Sequence, residues 1–173
     1  MGLLASGITL ALMFAGYTAV ANAGLVTTPL DQQFASKAAG RSAGEVLLGQ
    51  LATSRGTNRT VTAFGRRMAA DNHAASDELK SVAAQSGITL PGAISASEER
   101  TFQRLVMLAP DRFDFAYAAQ MVTEHEREVE AFQQELKDGK DPSLRAFAAK
   151  NLPKLQSQLD QARAMLKTVM FES

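Results

Sequence analysis

The stretch MVTEHEREVEAF, residues 121–132, decides the fold. Val122, His125, Val129 and Phe132 recur at steps of three and four, which is one face of an α-helix. The row extends back to Ala118 and on to Leu136, with Met121 flanking it. It predicts a helix capped by Asp111 and ending near Gly139. One member of the row, His125, is polar.

A second stretch, MAADNHAASDEL at residues 68–79, has the same build. Both open Met-x-x-acid, with Asp71 and Glu124 as the acids. The next residue is Asn72 in one and His125 in the other. Val61, Phe64, Met68, Asn72, Ala75, Leu79 and Val82 form its row. Thr57 and Asn58 supply a cap and Gly87 a stop near Ser86. The two helices are expected to face each other in a bundle.

Working outward, Thr28-Pro29 reads as a cap and first helical position, opening a helix that runs to Arg55. Gly40, Gly44 and Gly49 weaken that helix. Their presence suggests either close approach of a neighbour or plain tolerance. Ser95-Ala-Ser-Glu98 is a capping box for a short helix to about Leu108, with Pro110 as its stop. Asp141-Pro142 begins the last helical region. Pro153 predicts a kink or short break there, with Leu155, Leu159, Ala162, Leu166 and Val169 as the following row. No strand-like alternation survives these assignments. The expected fold is therefore all-α, a ferritin-like four-helix bundle with a short extra helix in the middle connection. The short helix would bridge the middle pair; the stretch of about 25 residues from Gly87 to Asp111 is long for adjacent antiparallel helices and could instead cross the bundle to join parallel neighbours.

The chain has 173 residues, no Cys, no Trp and a formal net charge of zero. Thiol nucleophiles and thiolate metal sites are excluded. No global field points to nucleic acid. Residues 3–23 are apolar and end in Ala21-Asn22-Ala23, a small-x-small triplet. We expect a signal peptide over residues 1–23, with an uncleaved anchor as the alternative, and a single helical domain over 24–173. The expected location is the periplasm or cell envelope, with membrane contact only through the N-terminal segment. No Lys or Arg precedes the apolar run, so the signal's basic region is weak.

Each long helix offers one polar residue at or beside its apolar row: Glu45, Asn72, His125 and Gln158. Asp71 and Glu124 sit one position back. Buried polar groups need partners. One reading is a hydrogen-bonded cluster around His125. A second is a metal or small-ligand site using His125 and Glu45. A third is a partly exposed imidazole without a role. A di-iron centre wants Glu-x-x-His pairs, and the chain has none. No cofactor is therefore expected, with a transition-metal ion as the alternative. Enzymatic activity is disfavoured, and no partner is identified.

The segments AGRSAGEVLLGQLATSRGTNRTVTAFGRRMAAD, SGITLP, RFDFAYAAQMVTEHEREVEAF and KDPSLRAFAAKNLPKLQSQL occur in this order within residues 32–166. Together they resemble the bacterial family called domain of unknown function 4142. The resemblance implies an exported, ferritin-like helical bundle and no established reaction. It also implies His at three core positions, which here hold Asn72, His125 and Gln158, and a Glu that matches Glu45. Asn and Gln hydrogen-bond but ligate zinc, iron or copper weakly. The departure argues against metal-dependent activity, so a ferritin-like oxidoreductase ranks last.

Overall fold

A computed structural model describes residues 27–171. The expected export segment, residues 1–23, lies outside them. Thr28 and Asp31 form a reciprocal capping box that opens α1 (Pro29–Arg55). Asn58 caps α2 (Arg59–Gln85) through a bond from the Thr60 amide to its side chain. Ser95 caps α3 (Ala96–Val106), then come α4 (Pro110–Asp138) and α5 (Pro142–Phe171). There is no strand among the described residues.

Two expectations need correction. Ala109, not Asp111, is the cap of α4. Pro110, read as a stop, is instead a start, since the first turn needs no proline N–H. Asp111 sits in that first turn, where its charge suits the helix dipole. The break expected at Pro153 is also absent, because α5 runs unbroken through it. Leu144, Phe147 and Ala148 before the proline and Leu155, Leu159 and Ala162 after it are all buried. Packing on both sides outweighs the one lost backbone bond. The ring itself is exposed, and Asn151 Nδ2 donates to the Phe147 carbonyl at 2.9 Å.

α1 pairs with α2, and α4 with α5; the hairpins then join through α1–α4 and α2–α5. The N-terminus of α1 and the α4–α5 turn share one end, where Asp31 accepts from the Lys140 and Asp141 amides at 2.8 and 3.0 Å. At the opposite end Asp114 of α4 accepts from the Thr57 and Asn58 amides beside the start of α2. Hence α2 and α4 run parallel. They meet across the diagonal, where Phe64 contacts the Tyr117 and His125 rings edge-on. The connection carrying α3 returns the chain along α1, a span of about 40 Å for a 27-residue helix.

Glycines permit two of these contacts. A Cβ on Gly49 would lie 2.4 Å from the Gly65 carbonyl oxygen, and one on Gly65 2.7 Å from the Gly49 oxygen. At Gly44 a Cβ would meet the Glu98 side chain at 2.4 Å, so this glycine seats α3. Gly40 lies under Ser95 with ordinary clearance.

The apolar interior falls into two parts. One holds Leu48, Phe64, Met68, Phe113, Tyr117 and Met165; the other holds Phe34, Leu79, Phe132, Leu144 and Phe147. Between them lies a polar belt.

At the Asp31 end, burial pushes the Asp31 carboxyl up. Hydrogen bonds from the Thr28 side chain and from the Asp141, Thr28 and Lys140 amides outweigh it and hold the group far below its ordinary range. Its contribution is present above pH 3.8 and lost as pH falls. Glu135 behaves oppositely. Burial, then the neighbouring Asp31 and Asp141 carboxyls, push it from 4.5 up to about 8 despite Arg145. Between those values the folded chain keeps a proton that the unfolded chain has released, so stability falls as pH rises. Glu135→Gln is expected to flatten that fall and to stabilise by about 1 kcal/mol at pH 8. Paired urea titrations at pH 5 and 8 measure it.

Candidate functional site

The polar belt is built from Ser42 and Glu45 on α1, Asn72 on α2, His125 and Glu128 on α4, and Gln158 on α5. All six are buried. Asn72 is the organiser. Its Nδ2 donates to Glu45 Oε2 at 2.7 Å and to the Met68 carbonyl at 3.1 Å. The Ser42 hydroxyl lies 3.0 Å from Asn72 Oδ1 and 3.1 Å from its carbonyl oxygen.

His125 stands apart from that cluster. Its Nδ1 lies 2.8 Å from the Met121 carbonyl, one turn back on its own helix, so Nδ1 carries the proton and donates. Glu45 Oε1 is 4.0 Å from the same nitrogen. Nε2 is buried and has no hydrogen-bond partner among the described residues; the same holds for Glu45 Oε1, Glu128 Oε2 and the Tyr117 hydroxyl. Burial, followed by the charge of Glu45, pushes the Tyr117 phenol up. Burial also pushes the Glu128 carboxyl up, reinforced by Glu45 and Glu124 and opposed by Arg41.

The remaining candidates point elsewhere. Gln158 Nε2 donates to Asp71 Oδ2 at 2.9 Å, and Lys154 pairs with Asp71 Oδ1 at 3.0 Å on the α2–α5 seam. Glu124 faces Arg41 at 3.4 Å and accepts from Gln120 at 2.6 Å. The structure thus joins Glu45 to Asn72 and Asp71 to Gln158, with His125 between and bonded to neither pair.

Glu128, Tyr117 and Ser42 were not singled out by the sequence. Tyr117, Met121, His125, Glu128, Phe132 and Glu135 step by four, four, three, four and three, as helical as the row read from the sequence. The two rows share His125 and Phe132. Preferring Val129 and Leu136 on hydrophobicity hid the carboxyls.

A metal on His125 and Glu45 can be tested against this geometry. Glu45 approaches Nδ1, which is committed to Met121, and its other oxygen is taken by Asn72. No group of three or more His, Asp or Glu side chains converges on one point among the described residues. His125 Nε2 and Glu45 Oε1 remain uncommitted, two donors where a transition-metal centre takes four or more ligands.

This arrangement separates two substitutions. Asn72→Leu strands Glu45 Oε2, while the Ser42 hydroxyl keeps the backbone carbonyl of residue 72 as its acceptor, and is expected to cost about 2–3 kcal/mol. His125→Leu leaves Glu45 and Ser42 with their partners and is expected to stay within about 1 kcal/mol of the parent. Chemical denaturation of both variants decides it; equal losses would mean that His125 belongs to the network.

The model of a family described as "Domain of unknown function (DUF4142)" matches residues 16–165. The chain belongs to the DUF4142 family. No curated protein matches it. This DUF4142 chain is similar in fold to a crystal structure of a DUF305 fragment from Deinococcus radiodurans. The TM-score is 0.71 at 15% identity, covering 82% of this chain and 98% of that one. At that identity the likeness shows the shared helical architecture alone. No helix among the described residues of the DUF4142 chain is long and apolar enough to cross a membrane.

Proposed function

We propose that this DUF4142 protein is an exported, ferritin-like four-helix bundle of the periplasm or envelope that acts through its surface rather than by metal-dependent catalysis. The order of its helices supports the ferritin-like description. Two hairpins are joined by one long crossover, with α2 parallel to α4 and each adjacent pair antiparallel. The carrying observation is the Asn72–Glu45 bond at 2.7 Å. It places an amide against the carboxylate that a bundle metal would need. The Ala21-Asn22-Ala23 triplet supports export.

The test uses protein made without a polyhistidine tag. Bound metal is expected below about a tenth of an equivalent, with no thermal shift on adding Zn²⁺, Fe²⁺, Mn²⁺ or Cu²⁺. Mass spectrometry of protein from the periplasmic fraction is expected to place its N-terminus at Gly24. Stoichiometric metal would sink the first half of the proposal and an intact Met1 the second.

A second reading, an ion held by His125 and Glu45, rests on one observation. His125 Nε2 and Glu45 Oε1 are both buried without a partner. Under that reading His125→Leu abolishes the metal-induced shift.

A further inference from the structure

Midway along the bundle, between α2 and α5, a cavity of about 30 Å³ reaches inward from the surface to the polar belt. Its outer end carries Asp71 and Lys154, whose side chains are 28% and 46% exposed. Its inner wall carries Ser42, Asn72 and Glu128. Phe132 and Phe147, with rings 5.9 Å apart, also line it. Glu128 is only 6% exposed, and its buried Oε2 has no hydrogen-bond partner. A carboxyl held in this way is explained by a missing partner that belongs in the space beside it.

We propose that this cavity binds a small primary ammonium ion, of the size of ammonium or methylammonium, between Glu128 and the two phenylalanine rings. The chemistry of the walls selects that class. The side-chain acids of the lining are Asp71 and Glu128, and aromatic rings favour a cation. An ammonium brings the N–H donors that Glu128 and the Ser42 hydroxyl oxygen accept. The volume admits one or two water-sized groups and nothing larger. A metal ion is a worse match, because no set of three acidic or imidazole ligands converges among the described residues. The Lys154 ammonium, already paired with Asp71 at the entrance, is the built-in competitor.

Binding exchanges one cation for another. The O–H bond of Glu128 breaks, its proton leaves to solvent, and the carboxylate accepts an N–H from the guest. The charged or titratable groups around Glu128 are Arg41 and Glu45 of α1, Asp71 of α2, Glu124 and His125 of its own helix and Lys154 of α5. The inference is independent of the surface role proposed above and survives its failure.

The full chain is titrated with ¹³C-methylammonium chloride, with tetramethylammonium chloride as a same-charge ion too large to enter. Methylammonium has two non-hydrogen atoms, so a dissociation constant of a few millimolar or weaker is expected. We expect saturable shifts of its methyl signal and of the Glu128 carboxyl carbon, with no saturation by tetramethylammonium. Glu128→Gln removes the acid and is expected to abolish saturation. Lys154→Met leaves the interior untouched and is expected to tighten binding roughly threefold by removing a like charge. Equal response to both ions, full binding by Glu128→Gln, unchanged or weaker binding by Lys154→Met, or no response at 200 mM, a cavity holding only water, would each overturn the proposal.

Discussion

Gly49→Ala is expected to destabilise the protein by about 2–3 kcal/mol, although helix propensity alone predicts a gain of about 1 kcal/mol. Propensity counts only the backbone of α1, and Gly49 lies where α1 and α2 touch. The added carbon would sit 2.4 Å from the Gly65 oxygen, 3.0 Å from the Ala69 nitrogen and 3.2 Å from the Ala69 Cβ. Two of those atoms are backbone, so no side chain can turn aside. The helices must separate, and the packing of Leu48, Ala52 and Phe64 separates with them. Gly49→Val should cost about 3–5 kcal/mol for the same reason. Gly92→Ala is the control, since nothing lies within 4 Å of its added carbon. Thermal melts compare the three. An Ala variant as stable as the parent would show that the helix crossing yields to one methyl group.

Arg55→Ala is the second large effect, at about 2–3 kcal/mol. Arg55 ends α1, and its guanidinium donates to the carbonyls of Leu105, Val106 and Leu108. These belong to the last turn of α3 and the residues after it, where carbonyls run short of helical partners; the Leu105 carbonyl also accepts from the Leu108 amide at 3.3 Å. The same group lies 5.4 Å from the centre of the buried Phe113 ring. One side chain thus closes α3 onto α1 and covers a core aromatic. Removing it leaves the Val106 and Leu108 carbonyls to water and unfastens the crossover. A fall in melting temperature of about 5–10 °C is expected. Arg55→Lys should recover only part of it, because one ammonium cannot reach three divergent oxygens. Full recovery by Lys would mean that charge alone matters there.

Most helix boundaries were legible in the sequence because they rest on local chemistry. The Thr28 capping box, the Ser95 cap and the Asp141-Pro142 start each need only a few adjacent residues. The pairing of helices was less legible. Gly49 left close approach of a neighbour and plain tolerance both open, Gly65 drew no reading, and only the partner's backbone shows the contact between them. Pro153 left a kink or a short break open, and the break is absent because the force that keeps α5 whole comes from other elements. The site was legible in part. Glu45, Asn72, His125 and Gln158 stand out as polar intrusions in apolar rows, yet spacing alone does not say which bonds which. Asn72 chose Glu45, Gln158 chose Asp71, and His125 turned to its own backbone. Glu128 was hidden because hydrophobic ranking rotates the apparent face of α4 by one residue.

The belt between the two apolar halves has a mechanical consequence. Hydrocarbon resists wetting, whereas Glu128, Tyr117 and Glu45 hold buried oxygen atoms without partners, which water would satisfy. The hairpins are nonetheless tied across the belt by Gln158–Asp71, Lys154–Asp71 and Arg41–Glu124. Both ends stay fastened, by Asp31 at one and by Arg55 and Asp114 at the other. A bundle hooped at its rims and laced at its middle would take up water at the waist without coming apart.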